Sequence, residues 1–141
     1  MGIVVKQFPE YDLTLDMWRG TVTAEDMIEH FEGLTQAEAQ RRLSFIDPAV
    51  NLYDLDLAAI PALKRSAARV LDQLYAGRPL TSAVVCGPGE NRPVMEFWHR
   101  YVWGEREAGR HPVMVSSLED ACDWLGLPQA ARQKVIEALG A

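Results

Sequence analysis

Glu96, His99 and Arg100 fall within one turn of a helical pattern, the nearest approach in the chain to an acid–base group. A general base needs a nucleophile to activate, and neither Ser nor Cys stands beside His99 in sequence. No second histidine lies at metal-ligand spacing, and His30 and His111 are equally isolated. His99 therefore reads as a surface histidine, and no catalytic residue, metal ligand or cofactor site is assigned. Cys86 and Cys122 form no CxxC pair, and a chain of 141 residues can build a core without staples, so both read as reduced packing residues.

A second polar set stands where apolar runs end. Asp54 and Asp56 close the run 50–55, Gly87 to Asn91 follows the run 80–86, and Ser116 and Ser117 follow 111–115. If those runs are parallel strands, their carboxyl ends form the crevice where open α/β sheets bind ligands, faced by free N–H groups of helix N-termini. Asp54, Asp56, Gly87, Asn91 and Ser116 are thus candidate ligand- or partner-binding residues. The competing role is local: Asp56 and Ser116 cap helices and the glycines turn the chain. Gly87-Pro88-Gly89 lacks the Lys and Ser/Thr of a phosphate-binding loop and the spacing of a dinucleotide fingerprint.

Positioning these groups takes alternating strands and helices. Residues 3–8 and 13–19 read as a hairpin, with Leu13, Leu15 and Met17 alternating with Thr14, Asp16 and Trp18. Thr23-Ala24-Glu25-Asp26 opens a helix carrying Met27, Ile28, Phe31 and Leu34, with a break expected near Gly33 and a second capping box at Thr35-Gln36-Ala37-Glu38. The run 43–47 competes for the third strand, but Pro48 follows at once, and the better bounded run 50–55 is preferred. Residues 60–75 keep a 3.6-residue apolar period, stopped by Gly77 and Pro79. After the strand at 80–86, a helix from Pro93 places Met95, Trp98 and Val102 on one side, with Phe97 and Tyr101 beside them. Both faces of one helix cannot pack on one sheet, so part of the aromatic set is core and part is exposed or meets a partner. Trp98, Tyr101 and Trp103 join the candidate ligand- or partner-binding residues, since aromatic anchors are enriched at interfaces. A strand at 111–115, a helix opened by Ser116-Ser117-Leu118-Glu119 with Trp124 in the core, and a last helix at 128–139 complete the chain.

The order ββαβαβαβα plus a C-terminal helix specifies an α/β fold, with a mixed four- to five-stranded sheet in a single domain over residues 1–141. A net charge of -6 with scattered basic residues argues against a nucleic-acid surface. No apolar run reaches the roughly 20 residues of a membrane span, and residues 1–6 do not read as a signal peptide, which predicts a cytoplasmic protein.

The stretch Phe45-Ile46-Asp47-Pro48-Ala49-Val50-Asn51-Leu52-Tyr53-Asp54-Leu55, then Ala83-Val84-Val85, then 113–126 resembles the small SpoIIAA-like proteins of the STAS superfamily. The resemblance implies a non-catalytic regulatory or protein-interaction domain, with a protein partner or homodimer. It also suggests, as an alternative, a carrier or sensor of a small, partly apolar, lipid-like ligand, for which a cavity beside Trp98 or Trp18 would serve. The family's strand ends in an Asp-Leu-Arg-like triplet, whereas here the residues are Asp54-Leu55-Asp56. The phosphorylatable Ser of anti-sigma-factor antagonists has no counterpart, because residues 54–60 contain no Ser or Thr.

Overall fold

The computed structural model describes residues 2–34, 41–52, 57–104 and 109–140. The chain begins as a hairpin in which β1 (Ile3–Phe8) pairs antiparallel with β2 (Leu13–Trp18), Ile3 opposite Trp18 and Phe8 opposite Leu13. The reversal is a 3-10 turn over Pro9–Tyr11 closed by Asp12 at φ 50°, a left-handed conformation that Asp tolerates better than most residues. Thr23 and Asp26 then cap α1 (Ala24–Leu34) reciprocally. The Asp26 amide donates to Thr23 Oγ1 at 3.1 Å, and the Thr23 amide donates to the Asp26 carboxylate at 3.0 Å.

The third strand is not where the apolar run at 50–55 placed it. β3 is Arg41–Ile46, parallel to β2 from Leu13 opposite Arg41 to Trp18 opposite Ile46. Pro48 does not exclude this strand, because it sits two residues past the end, where no ladder amide is required. Of the run 50–55, Val50 and Leu52 are buried and Asn51 makes a single parallel bridge to Thr21, while residues 53–56 lie outside the described residues. The proposed capping box at 35–38 also lies outside them.

A 3-10 turn at Leu57–Ala59 leads into α2 (Ile60–Arg69), which runs on as a π-helical turn over Val70–Leu74. The widened turn is closed by the Tyr75 amide, which donates to Val70 O at 3.3 Å. β4 (Thr81–Val85), α3 (Asn91–Trp103), β5 (Val113–Val115), α4 (Leu118–Leu125) and α5 (Gln129–Gly140) follow in order. Among the described residues no helix is long and apolar enough to cross a membrane.

The sheet order is β1-β2-β3-β4-β5, parallel from β2 onward. Strands added always on the same side by right-handed crossovers put every connecting helix on one face. That face carries the larger core, in which α1, α2 with its π-helical turn, and α3 contribute Phe31, Leu63, Leu71, Met95 and Trp98 over Trp18, Ile46 and Val84. The tail helices α4 and α5 cover the other face, packing Ala121, Leu125 and Val135 on Leu13, Leu15, Leu43 and Ala83. Small residues Ala121 and Cys122 fill the contact arc of α4, so Trp124, expected in the core, is 46% exposed. Cys86 and Cys122 are buried free thiols in the two separate cores, as their spacing predicts.

Candidate functional site

Side chains alternate along a strand, so Thr14 and Asp16 of β2, Arg42 and Ser44 of β3, and Ser82 of β4 all point toward α1–α3. The strand register sets them in two adjoining rows. Gln7, Thr14, Arg42 and Ser82 lie side by side across four strands, and Asp16, Ser44 and Val84 form the next row. Thr14, Asp16, Arg42, Ser44 and Ser82 are all buried, which puts a polar band beneath an apolar helical layer.

At its centre is the fully buried carboxylate of Asp16. Its Oδ1 accepts from Ser44 Oγ at 2.9 Å and from Arg42 Nη2 at 3.4 Å, and its Oδ2 accepts from Trp18 Nε1 at 2.7 Å. From α1, His30 brings Nε2 to 3.5 Å from Asp16 Oδ2 and 3.3 Å from Arg42 Nη2. Burial lowers the His30 pKa to about 4, against the opposing pull of the Asp16 charge and with the help of Arg42. The ring is therefore neutral near pH 7, and its Nε2 meets the shorter contact by accepting from Arg42. With His30 uncharged, Asp16 and Arg42 balance each other inside the core. The hydrogen bonds of Arg42 among the described residues run through Nη2, and its buried Nε finds no acceptor among them.

Above this floor lies a cavity of about 50 Å³, walled by Trp18, Met27, Trp98, Val102 and Met114, with Arg42, Ser44 and Ser82 beneath. His99 closes one side. Its Nε2 donates to Pro112 O at 2.6 Å, the same carbonyl that His111 Nδ1 approaches at 2.9 Å, and the two rings meet edge to face at 5.5 Å. Burial is the first cause holding the His99 pKa below its ordinary value. His99 is thus a half-buried cavity residue, where the sequence reading put it on the surface.

The imagined Glu96–His99–Arg100 group does not form, because Glu96 pairs with Arg92 Nε at 2.7 Å one turn back. Nor do Asp16, His30 and Ser44 stand in the order of a nucleophile triad, in which the hydroxyl donates to the imidazole. Ser44 donates to the carboxylate itself. Among the described residues no group of three or more His, Cys, Asp or Glu can hold a metal ion.

The candidates at the strands' carboxyl ends prove locally engaged where they are described. Asn91 Nδ2 donates to Val50 O at 2.8 Å and Pro48 O at 3.2 Å, tying the chain after β3 to the start of α3. Ser116 Oγ accepts from Arg92 Nη1 at 3.2 Å, and the cap of α4 is its neighbour Ser117, which accepts from the Asp120 amide at 3.1 Å. A Cβ on Gly87 would meet Ser116 O at an ordinary 3.6 Å. Asp54 and Asp56 lie outside the described residues.

The aromatic helix divides cleanly. Trp98 and Trp103 are buried, the latter edge to face with Phe31, whereas Tyr101 is 45% exposed and stacks with exposed Phe97 at 4.5 Å. Of the sequence candidates, Trp98 and Trp103 thus reach the cavity and Tyr101 does not.

The residues that form the floor escaped the sequence reading. Asp16 and Thr14 passed as the polar side of an alternating strand, His30 as an isolated histidine, and Arg42 and Ser44 vanished with the misplaced strand. One signal was present, the alternation of Arg42, Ser44 and Ile46 with Leu43 and Phe45 in the run that Pro48 disqualified. No family model matches the chain, and no curated protein matches it.

Proposed function

We propose that this chain is a non-catalytic binding module whose interior cavity takes a small, mostly apolar ligand. One observation carries the reading: a cavity walled by tryptophan and methionine whose floor of Ser44, Ser82 and Arg42 includes the cation of a buried ion pair. A buried ion pair adds little stability over apolar residues of the same volume, so packing alone gives no reason for it there. Ligand sites combine these features, an apolar wall with a few convergent polar groups. At about 50 Å³ the space suits a compact molecule, not an acyl chain; it corresponds to about four water-sized volumes.

The test is a titration with cyclopentane as an apolar probe, followed by two-dimensional NMR. Selective shifts of the Trp18 and Trp98 indole N–H resonances, abolished in a Ser82→Leu variant that fills the space, are expected. Unchanged indole resonances at saturation would refute the reading.

A second reading, a regulatory domain of the STAS type acting through a protein contact, is favoured by α3. There Phe97 and Tyr101 stack on the solvent side between Arg100 and Pro93. The α/β architecture and mixed sheet are compatible with that family, and the missing serine argues for constitutive contact without a phosphorylation switch. A homodimer seen by light scattering and dissolved by Phe97→Ser with Tyr101→Ser would support this reading; a monomer at every concentration would count against the homodimer.

A further inference from the structure

We infer that the outer edge of β1 takes up an extended peptide segment of a partner protein as an added strand, one that faces the protein with an apolar side chain at one end and a Lys or Arg at the other. The surface is separate from the interior cavity, and the inference does not depend on the binding function proposed for it.

β1 ends the sheet, and none of the described residues pairs with its outer side. The Arg19 amide donates to Gly2 O at 2.8 Å across the hairpin. By the alternation of an antiparallel ladder, Val4, Lys6 and Phe8 then also turn their backbone groups toward β2. Ile3, Val5 and Gln7 direct theirs outward, as one side of a ladder still to be filled. Edge strands are commonly shielded by brevity, proline or charge. β1 has six residues and no proline, and its one charge, Lys6, stands on the face opposite Val5. Val4 and Val5 remain 49% and 43% exposed.

A groove of about 380 Å³ lies beside this edge, with Ile3, Val5 and Gln7 on one side and Asp26, Glu29 and Gly33 of α1 on the other. The crossover from β2 to β3 makes α1 run in the direction of β1. Asp26 and Glu29 therefore stand toward the Ile3 end, and Gly33 toward the Gln7 end. No Lys or Arg is among the described residues that line the groove. Glycine is a poor helix former, yet Gly33 has no positive φ, and a Cβ added to it would meet nothing within 4 Å. Its effect here is to leave the Gln7 end open. The strand edge thus offers main-chain hydrogen bonds, the glycine end admits an apolar side chain, and the two carboxylates favour a cation, the division of labour found in recognition by strand addition. A second copy of β1 fits less well, because two-fold pairing would bring the Asp26 and Glu29 walls of two chains of net charge -6 toward each other.

The test uses a capped heptapeptide in which leucine, valine and arginine, in that order, alternate with threonine. Antiparallel to β1, it places leucine at Gly33, valine at Val5 and arginine beside Asp26 and Glu29; the reversed sequence covers parallel pairing. Both are titrated into isotope-labelled protein, with a third peptide carrying glutamate for arginine as the control. One of the arginine peptides is expected to move the Ile3, Val5 and Gln7 amide resonances downfield and to slow their hydrogen exchange. The glutamate peptide should bind about tenfold more weakly at about 0.1 M salt, a difference that shrinks toward about 1 M. Val5→Pro removes an outward amide that β2 does not use, and Gly33→Leu fills the open end of the groove. Each should abolish the shifts while the Trp18 indole resonance stays in place and reports an intact hairpin. Unmoved Ile3, Val5 and Gln7 amides with both arginine peptides at about 1 mM would overturn the inference. So would equal affinity for the glutamate peptide, or binding that survives both substitutions. A concentration-dependent dimer that protects the same amides without peptide would make the occupant a second copy and overturn it as well.

Discussion

Acid should destabilise this protein through one histidine. His30 has a folded pKa of about 4 against an ordinary value of 6.5, because the neutral ring is buried between Asp16 and Arg42. The folded pKa lies below the unfolded one, so between them the unfolded chain binds the extra proton. Stability contributed by the neutral ring is present above 6.5 and is lost as pH falls toward 4. The gap of 2.5 pH units (6.5 − 4) corresponds to about 3 kcal/mol in full. Integrated from about pH 7 to about pH 4.5, the loss is roughly 2 kcal/mol. For a chain of this size that lowers Tm by about 6–10 °C. Urea unfolding of wild type and His30→Gln at a series of pH values isolates the effect, because the surface carboxylates titrate in both. The wild type should lose about 2 kcal/mol more than the variant across that window. The His30 Cε1–H signal should show no titration midpoint above about pH 5. Parallel pH profiles in the two proteins, or a midpoint near 6.5, would refute the argument that burial outweighs the Asp16 charge.

Three further perturbations bear on the same architecture. Arg42→Met removes the cation beside the buried Asp16 carboxyl, and should cost about 3–5 kcal/mol in urea unfolding, with Asp16→Asn in the same chain restoring a large part. In Gly2→Ala the new Cβ would clash with Thr21 O and lie 2.7 Å from Val22 Cγ2, so the start of β1 must shift. A drop in Tm and faster hydrogen exchange in the Ile3–Trp18 pair are expected. Thr23→Ala removes one half of the reciprocal α1 cap and should cost about 1 kcal/mol, without moving the Trp18 indole resonance.

Periodicity was enough to find most elements, because it reports burial on a single element and needs no partner. The hairpin, the Thr23 cap, the apolar face of α2 and the tail helices are written in local spacing of this kind. The third strand was not, since two short runs on either side of Pro48 satisfied the same local criteria. Only register with β2 and β4 selects Arg41–Ile46. Trp124 misled for a related reason: helical spacing identifies an apolar residue but not how close the sheet approaches that helix.

The sequence by itself determined an α/β chain in the order ββαβαβαβα with a further helix, two unpaired thiols and a helix rich in aromatic residues. Tertiary structure alone decided that Asp16, His30, Arg42 and Ser44, drawn from two strands and a helix, share one buried cluster beneath a cavity. Each is unremarkable in its own segment, because a polar residue on a strand normally faces water. Here same-side crossovers place α1, α2 and α3 over that face, and the strand register sets a carboxylate beside a guanidinium. Such a cluster is a property of pairing between distant segments, which no local pattern in the chain encodes.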